Sequence, residues 1–316
     1  MRISLIIFAL PLLVMDIAYA WNAVGHRATA LIALEQMTDL QQKQMGEILR
    51  AHPRYEEDFV AAIPERILKS NEAKITEWLF SQAAVWPDIA RGLSPDLQET
   101  FSRFTWHFIN VPIWLTAEDQ VNLEDGLAHN QSLAYPGELV TGLNVIQALP
   151  GNLAVWRDPS SSQSEKAVAL CWILHLVGDL HQPLHSGTLF SQSHFPLGDR
   201  GGNSIKVKKG SGTSNLHSIW DSLPTSILDF TPEPHTIRLQ QADQVDDHSV
   251  IQWLEDHVNL ARNFVYTEAV MSQIAGLAPE TTPVLIKLPD GYEENARPVA
   301  RQQIYLAGHR IAKLLQ

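Results

Sequence analysis

The segment SEKAVALCWILHLVGDL, residues 164–180, most limits what this chain can fold into. Its spacing is helical, and the helix is apolar on most sides, so it belongs inside the protein. A capping-box-like serine, Ser164, marks its expected start. This apolar helix also carries His175 and Asp179, four residues apart and therefore on one face. Pro183 ends the helix soon after Asp179, and His185 follows on the exit loop. An imidazole nitrogen and a carboxylate oxygen on one face are ligand types that zinc accepts. A second pair with the same spacing, His217 and Asp221, stands in NLHSIWDS. A single pair of this kind is commonly a surface ion pair. Two pairs, with His185 ten residues after the first histidine, shift the weight toward a metal centre.

The remaining patterns are mostly helical. HRATALIALEQMTDLQQKQMGEILR repeats apolar residues at three- and four-residue intervals, and SVIQWLEDHVNLARNFVYTEAV and ARPVARQQIYLAGHRIAKLL are amphipathic. One piece is clearly strand-like, GGNSIKVKKGSG, where Ile205 and Val207 alternate with lysines between glycines. Loops are expected around 87–100, 150–163, 187–203 and 278–293. With no internal repeat, the expectation is an all-α fold: one mostly helical domain over residues 21–316 with a small β-hairpin.

Residues 1–20 read as a signal peptide cleaved after Ala20: Arg2, an apolar run from Ile3 to Val14, then Ala18-Tyr19-Ala20. That run is short for a bilayer span, and no other stretch is apolar for long enough. A secreted or periplasmic protein without membrane attachment is expected, and no obligate protein partner is evident. Export permits disulfides, but the single cysteine, Cys171, cannot form one within the chain. It lies on the stripe of His175 and reads as a core thiol. Bound metal is the obvious substitute stabiliser, and thirteen histidines in 316 residues fit that. A net charge of −12 argues against a basic nucleic-acid footprint. It leaves room for an enzyme whose positive charge comes from bound cations.

Cleavage after Ala20 would start the mature chain at Trp21. A free α-amino group and the first carbonyl oxygen form a five-membered chelate on a metal, and only a first residue offers both. His26, one turn into the first helix, could complete that site, with the Trp21 ring wedging the terminus into the core. VWPDIAR places Asp88 three residues before Arg91, and TWHFIN places His107 in an aromatic run. Taken alone, Asp88 reads as a helix cap and His107 as a core histidine. His181 projects from a different helix face than His175 and suits a supporting or surface role. His52, His129, His194, His235, His248, His257 and His309 have no partner at ligand spacing and read as surface or packing residues. Lys206, Lys208 and Lys209 suit either a nucleic-acid groove or a solvated hairpin face.

In order, the motifs W-x4-H, W-x-D-x-x-R, W-H-F-I, H-x-x-G-D-x-x-Q-P-L-H, G-G-N and N-L-H-x-x-W-D run over most of residues 21–316. Together they resemble the exported zinc-dependent single-strand nucleases, the type I (S1/P1) family of fungi, plants and bacteria, in a bacterial member. The resemblance implies a trinuclear zinc fold shared with phospholipase C. One zinc would take Asp88, His107, His175 and Asp179. A second would take the Trp21 amino nitrogen and carbonyl oxygen, His26, and Asp179 as a bridge. The third would take His185, His217 and Asp221. It further implies catalytic roles for Asp88, beside a metal-bridging water, and Arg91, on the phosphate. Phe108, Asn110 and Asn203 would bind substrate. The family often has Asp where Asn110 stands, so base preference stays open. The implied activity is an endonuclease, a hydrolase of single-stranded DNA and RNA that leaves 5′-phosphate ends by attack of a metal-activated water, with 3′-nucleotides as further substrates. Three zinc ions against three aspartates would leave the cluster at about +3, enough to hold a phosphodiester.

Two rival readings remain. A zinc-dependent phospholipase C shares the fold, but those enzymes use His-x-x-x-Glu for the last pair and place the first histidine farther from the terminal Trp. A non-catalytic exported zinc-binding protein would not need Arg91.

Overall fold

The computed structural model describes residues 21–123, 132–224 and 249–316. The expected leader, residues 1–20, lies outside them, as do His129, His235 and His248. Helices dominate, as the periodicity predicts: α1 (Ala23–Glu35), α2 (Asp39–Leu49), α3 (Glu65–Leu68), α4 (Glu72–Ala90), α5 (Pro95–Phe101) and α6 (Ala117–Leu123) precede α7 (Val145–Arg157) and α8 (Gln163–Leu180). After these come α9 (Leu216–Asp221), α10 (Val250–Leu260), α11 (Glu268–Ala275) and α12 (Tyr292–Leu315).

Side-chain caps set several of the starts. Asn22 accepts from the amides of Val24 and Gly25 at the head of α1. The start of α8 differs from expectation: Ser162, not Ser164, is its cap. Glu165 stands three residues after Ser162 and accepts from its backbone N–H at 2.8 Å, closing the capping box. From Ala169 through Ser191 every residue is buried, so α8 and its exit turn are the inside of the molecule. Around α8 pack α1, α2, α4, α7, α10 and α12.

Pro87 lies within α4, which runs on to Ala90, so the loop expected from residue 87 begins only after the helix. Proline removes one amide donor from the helix ladder and crowds the preceding turn. A carbonyl of that turn, Ala84 O, accepts from His175 Nδ1 at 2.8 Å. The amphipathic run at 249–270 is broken by one wide π-type turn, Ala261–Val265, before α11.

The expected hairpin is present as β3 (Ile205–Lys209) and β4 (Gly212–Asn215), with Gly210 at φ 57° in its turn. Further strands escaped the sequence reading. β1 (Val111–Trp114) pairs in parallel with β2 (Gly187–Phe190), and β5 (Val284–Ile286) pairs in parallel with β3. β2 is buried at every position, so it shows no alternation, and both parallel partners are distant in sequence.

Trp21 is fully buried and packs with Ile32, Trp220, Ile304 and others in an apolar cluster separate from the one around α4, α7 and α8. Burying an indole removes some 150–250 Å² from water, worth at most about 4–6 kcal/mol. That contribution keeps the start of α1 from fraying. Among the described residues no helix is long and apolar enough to cross a membrane.

Candidate metal centre and cleft

Six local structures deliver the candidate ligands. His26 comes from α1 and Asp88 from the last turn of α4, so Asp88 is not an N-cap. His107 ends the 3-10 turn Phe104–His107, and α8 supplies His175 and Asp179. His185 closes a second 3-10 turn, Pro183–His185, while α9 supplies His217 and Asp221. All are buried.

Asp179 is the centre of this arrangement. Its Oδ2 lies 3.0 Å from His107 Nδ1 and 3.2 Å from His175 Nε2, while its Oδ1 lies 3.4 Å from His26 Nε2. The two oxygens thus face different imidazoles. His175 Nε2 also stands 3.8 Å from Asp88 Oδ1, and its ring stacks on that of His26 at 4.0 Å. Among the described residues, two groups have potential ligand atoms that all lie within 4.8 Å of one another: His26, His175 and Asp179, and Asp88, His107 and His175. The third trio is looser, joined in pairs: His185 Nε2 to His217 Nε2 at 3.2 Å, and His217 Nε2 to Asp221 Oδ2 at 3.5 Å. The backbone of Asn22 reaches this trio, its N–H donating to Asp221 O at 3.4 Å.

Backbone carbonyls orient three of the rings. His175 Nδ1 donates to Ala84 O, His185 Nδ1 to His107 O at 2.6 Å, and His217 Nδ1 to Gly201 O at 2.6 Å. Each Nε2 is then a lone-pair donor aimed into the cluster, the arrangement typical of metal-binding histidines. Several buried polar atoms have no hydrogen-bond partner: both ring nitrogens of His26, His107 Nε2 and Asp179 Oδ1. Leaving such atoms unsatisfied costs about 1–3 kcal/mol each. Nitrogen and carboxylate oxygen donors converging without partners fit zinc.

The electrostatics also call for positive charge. Burial pulls the His175 imidazole down, but the Asp179 and Asp88 carboxylates outweigh it and raise the ring to about 9. Burial pushes Asp179 up, yet His175, His185 and the hydrogen bonds from His107 and His175 hold it well below the usual carboxylate range. Asp221 goes the other way: burial raises it well above that range, although the Gln182 amide works against the shift.

His107, His185 and His217 form part of the wall of an open cleft of about 640 Å³. Arg91, Phe108, Asn110 and Asn203 line it as well. Arg91 Nη1 is 3.0 Å from Asp88 Oδ1, and the guanidinium lies over the Phe104 ring at 5.5 Å. Phe104 meets Phe108 edge-on at 5.4 Å. Asn110 Oδ1 accepts from Thr188 Oγ1 at 2.9 Å, and Asn203 Nδ2 donates to Arg200 O at 2.8 Å. The hairpin lysines are not among the cleft-lining residues, and Lys209 pairs with Glu293 at 3.3 Å.

Cys171 is a buried free thiol, as expected. His52, His181 and His257 are buried packing residues. His52 Nδ1 accepts from Arg54 N–H, His257 Nε2 meets Gln303 Oε1 at 2.8 Å, and His181 Nε2 accepts from Arg310 Nη1 at 2.7 Å. Sequence reasoning missed Phe104 and Arg200 in the cleft and Gln182 beneath it. Gln182 donates to Asp221 Oδ1 at 2.9 Å and accepts from Leu184 N–H at 2.7 Å, so it ties α9 to the turn that carries His185. Its place inside the Q-P-L-H motif was the available signal.

Helices that converge buried imidazoles and carboxylates beneath an open cleft define an α-helical metal-binding enzyme scaffold. The S1/P1 nuclease family model matches residues 21–316, and the chain belongs to that family. It is 27% identical over 292 residues to endonuclease 5 of Arabidopsis thaliana, covering 83% of each chain. Endonuclease 4 of the same plant is 24% identical over 297 residues, 84% of each chain. Nuclease S1 of Aspergillus oryzae is 27% identical over 216 residues, 68% of this chain and 58% of that protein. S1/P1 nucleases are zinc-dependent hydrolases that act as endonucleases, and the His/Asp groups here are of a kind that could hold the metal.

Proposed function

We propose that this protein is an exported endonuclease that hydrolyses single-stranded DNA and RNA, leaves 5′-phosphate ends, and also removes the phosphate of 3′-nucleotides. In this reading residues 1–20 are a leader removed after Ala20, and residues 21–316 form one catalytic domain. Three zinc ions would be held by Asp88, His107, His175 and Asp179; by the Trp21 amino nitrogen and carbonyl oxygen, His26 and Asp179; and by His185, His217 and Asp221. When bound, zinc supplies Lewis acidity that makes water a nucleophile near neutral pH and offsets charge on the phosphate oxygens.

The chain's own residues do the rest. Arg91, steadied by Asp88, donates to a nonbridging phosphate oxygen with a charge-assisted contact that strengthens as charge builds. Asp88 accepts a proton from the attacking water. The P–O3′ bond then breaks, the new phosphate stays on the 5′ end, and the released 3′ oxygen is protonated. Phe108 stacks the base beside the scissile phosphate, and Asn110 and Asn203 contact its polar edges. A base must leave its duplex partner to reach Phe108, which accounts for single-strand selectivity.

The observation that carries this reading is Asp179, whose two oxygens face separate imidazole sets with unpartnered buried nitrogens between them. The test is hydrolysis by the purified chain starting at Trp21, assayed on single-stranded DNA, RNA, 3′-AMP and phosphatidylcholine, before and after chelation and with zinc restored. Zinc-dependent cleavage of the first three is expected. Turnover of phosphatidylcholine alone would favour the phospholipase reading, and zinc binding without any turnover a purely metal-binding protein.

A further inference from the structure

Arg200 stands in the turn Gly198-Asp199-Arg200-Gly201-Gly202-Asn203. Gly198, Gly201 and Gly202 hold φ values of 84°, 58° and 81°, and Arg200 holds 59°. Glycine suits the left-handed region; a residue with a Cβ pays roughly 1–2 kcal/mol to be there. Arg200 is the one side chain this turn carries at positive φ, and it carries it in the cleft wall. Backbone strain at a cleft residue is a pointer to function.

The turn is held firmly. Asp199 is fully buried; its Oδ1 accepts from Leu189 N–H at 3.0 Å and its Oδ2 from the Tyr266 hydroxyl at 2.8 Å. Arg200 O accepts from Asn203 Nδ2, and the next carbonyl, Gly201 O, accepts from His217 Nδ1. Arg200 is therefore fixed one residue from the contact that orients His217.

Arg91 and Arg200, the cleft arginines among the described residues, differ. Arg91 is nearly buried and bonded to Asp88. Arg200 is exposed, and among the described residues its guanidinium has no hydrogen-bonding or ion-pairing partner. Among the described residues no carboxylate lines the cleft, although the chain as a whole carries −12. A guanidinium so placed is suited to a phosphate, which it can bind with two parallel hydrogen bonds.

We propose that Arg200 binds the phosphate of a nucleotide flanking the one being cleaved, a second phosphate subsite that favours oligonucleotides over 3′-mononucleotides. The proposal rests on the nuclease reading above. Contacts to phosphate carry no sequence information, so the subsite raises affinity for any single strand.

Arg200→Gly and Arg200→Gln test this. Glycine relieves the backbone strain, so Arg200→Gly should keep its zinc content and melt no lower than the wild type; Arg200→Gln keeps the strain and loses the charge. Binding of a fluorescent single-stranded tetranucleotide to zinc-loaded protein, followed by anisotropy over a salt series, should weaken about five- to tenfold in both variants. The slope of log affinity against log salt should become shallower by about 0.7, the value for one phosphate contact on a single strand. The kcat/KM ratio of tetranucleotide to 3′-AMP should fall by a similar factor, and Arg200→Lys should recover part of it. An unchanged ratio would overturn the proposal, as would an equal loss on both substrates, which would put Arg200 on the scissile phosphate instead. If the wild type bound the tetranucleotide with an Arg200-dependent salt slope yet hydrolysed neither substrate, the nuclease reading would fall and the phosphate subsite would stand.

Discussion

Replacing Gly178 with alanine should release metal from the His26 side of the centre. A Cβ on Gly178 would lie 2.7 Å from His26 Nδ1 and 3.0 Å from its Cε1, where ordinary contact begins at 3.4 Å. Alanine is better than glycine in a helix interior by about 1 kcal/mol, so the backbone effect alone would stabilise α8. The clash opposes it. His26 is fully buried and stacked on His175, so its ring cannot swing into solvent. Overpacking of this kind costs about 1–3 kcal/mol, so in chelated protein the two effects cancel or the clash wins. The metal is the more sensitive reporter. Regaining ordinary contact moves the ring by about 0.7 Å, while ligand distances tolerate only about 0.2 Å. The variant should lose at least one zinc equivalent by elemental analysis, and the gap between its zinc-loaded and chelated melting temperatures should shrink. Wild-type zinc content together with a higher Tm in both states would refute the packing argument.

Asp179→Asn should lose more zinc than Asp221→Asn, because Asp179 faces two imidazole sets; equal losses by elemental analysis would contradict a bridging role. Arg91→Ala should keep its zinc and fold while turnover falls about a hundred- to a thousandfold, the scale of losing one oxyanion-hole donor. Phe108→Ala should instead raise KM for single strands and narrow the preference over duplex, and the reverse pattern would mean the two roles are misassigned. One residue added before Trp21 should remove one zinc equivalent and most activity; full metal content and normal rates would dismiss the terminal chelate. His52 is held neutral, burial drawing its pKa from 6.5 to about 3 against the pull of Asp58. Below about pH 6.5 the unfolded chain binds a proton at this ring and the folded one does not, so stability present above pH 6.5 is lost as the pH falls toward 3. His52→Asn retains an acceptor for the Arg54 N–H, so its urea midpoint should drop less steeply than the wild type's between pH 6.5 and 4; parallel slopes would count against the assignment.

The helical His/Asp pairs were legible because a four-residue offset on a helix is a local rule, and His175 with Asp179 and His217 with Asp221 meet as that rule requires. The cap of α8 was misplaced by two residues because both Ser162 and Ser164 fit the first turn, and only the return of Glu165 separates them. Asp88 resembled a helix cap because aspartate is a preferred residue there, yet it sits with Pro87 in the last turn of α4. His257 had no partner at ligand spacing because Gln303 reaches it from far along the chain, and His181 is buried rather than at the surface because Arg310 does the same, while His52 accepts an amide only two residues away. Arg200 gave no signal at all, since a positive φ is not written in residue type.

By itself, the sequence determined the helical class, the inward face of α8, and the chemistry offered at each candidate position. Those properties depend on residues within a turn or two of one another, where spacing and side-chain type decide. The tertiary structure alone decided which imidazoles share Asp179, that its two oxygens point to different sets, which short strands pair in parallel, and that Arg200 enters the cleft. Each of these is a convergence of segments tens to more than a hundred residues apart, settled by how buried helices pack rather than by any local period.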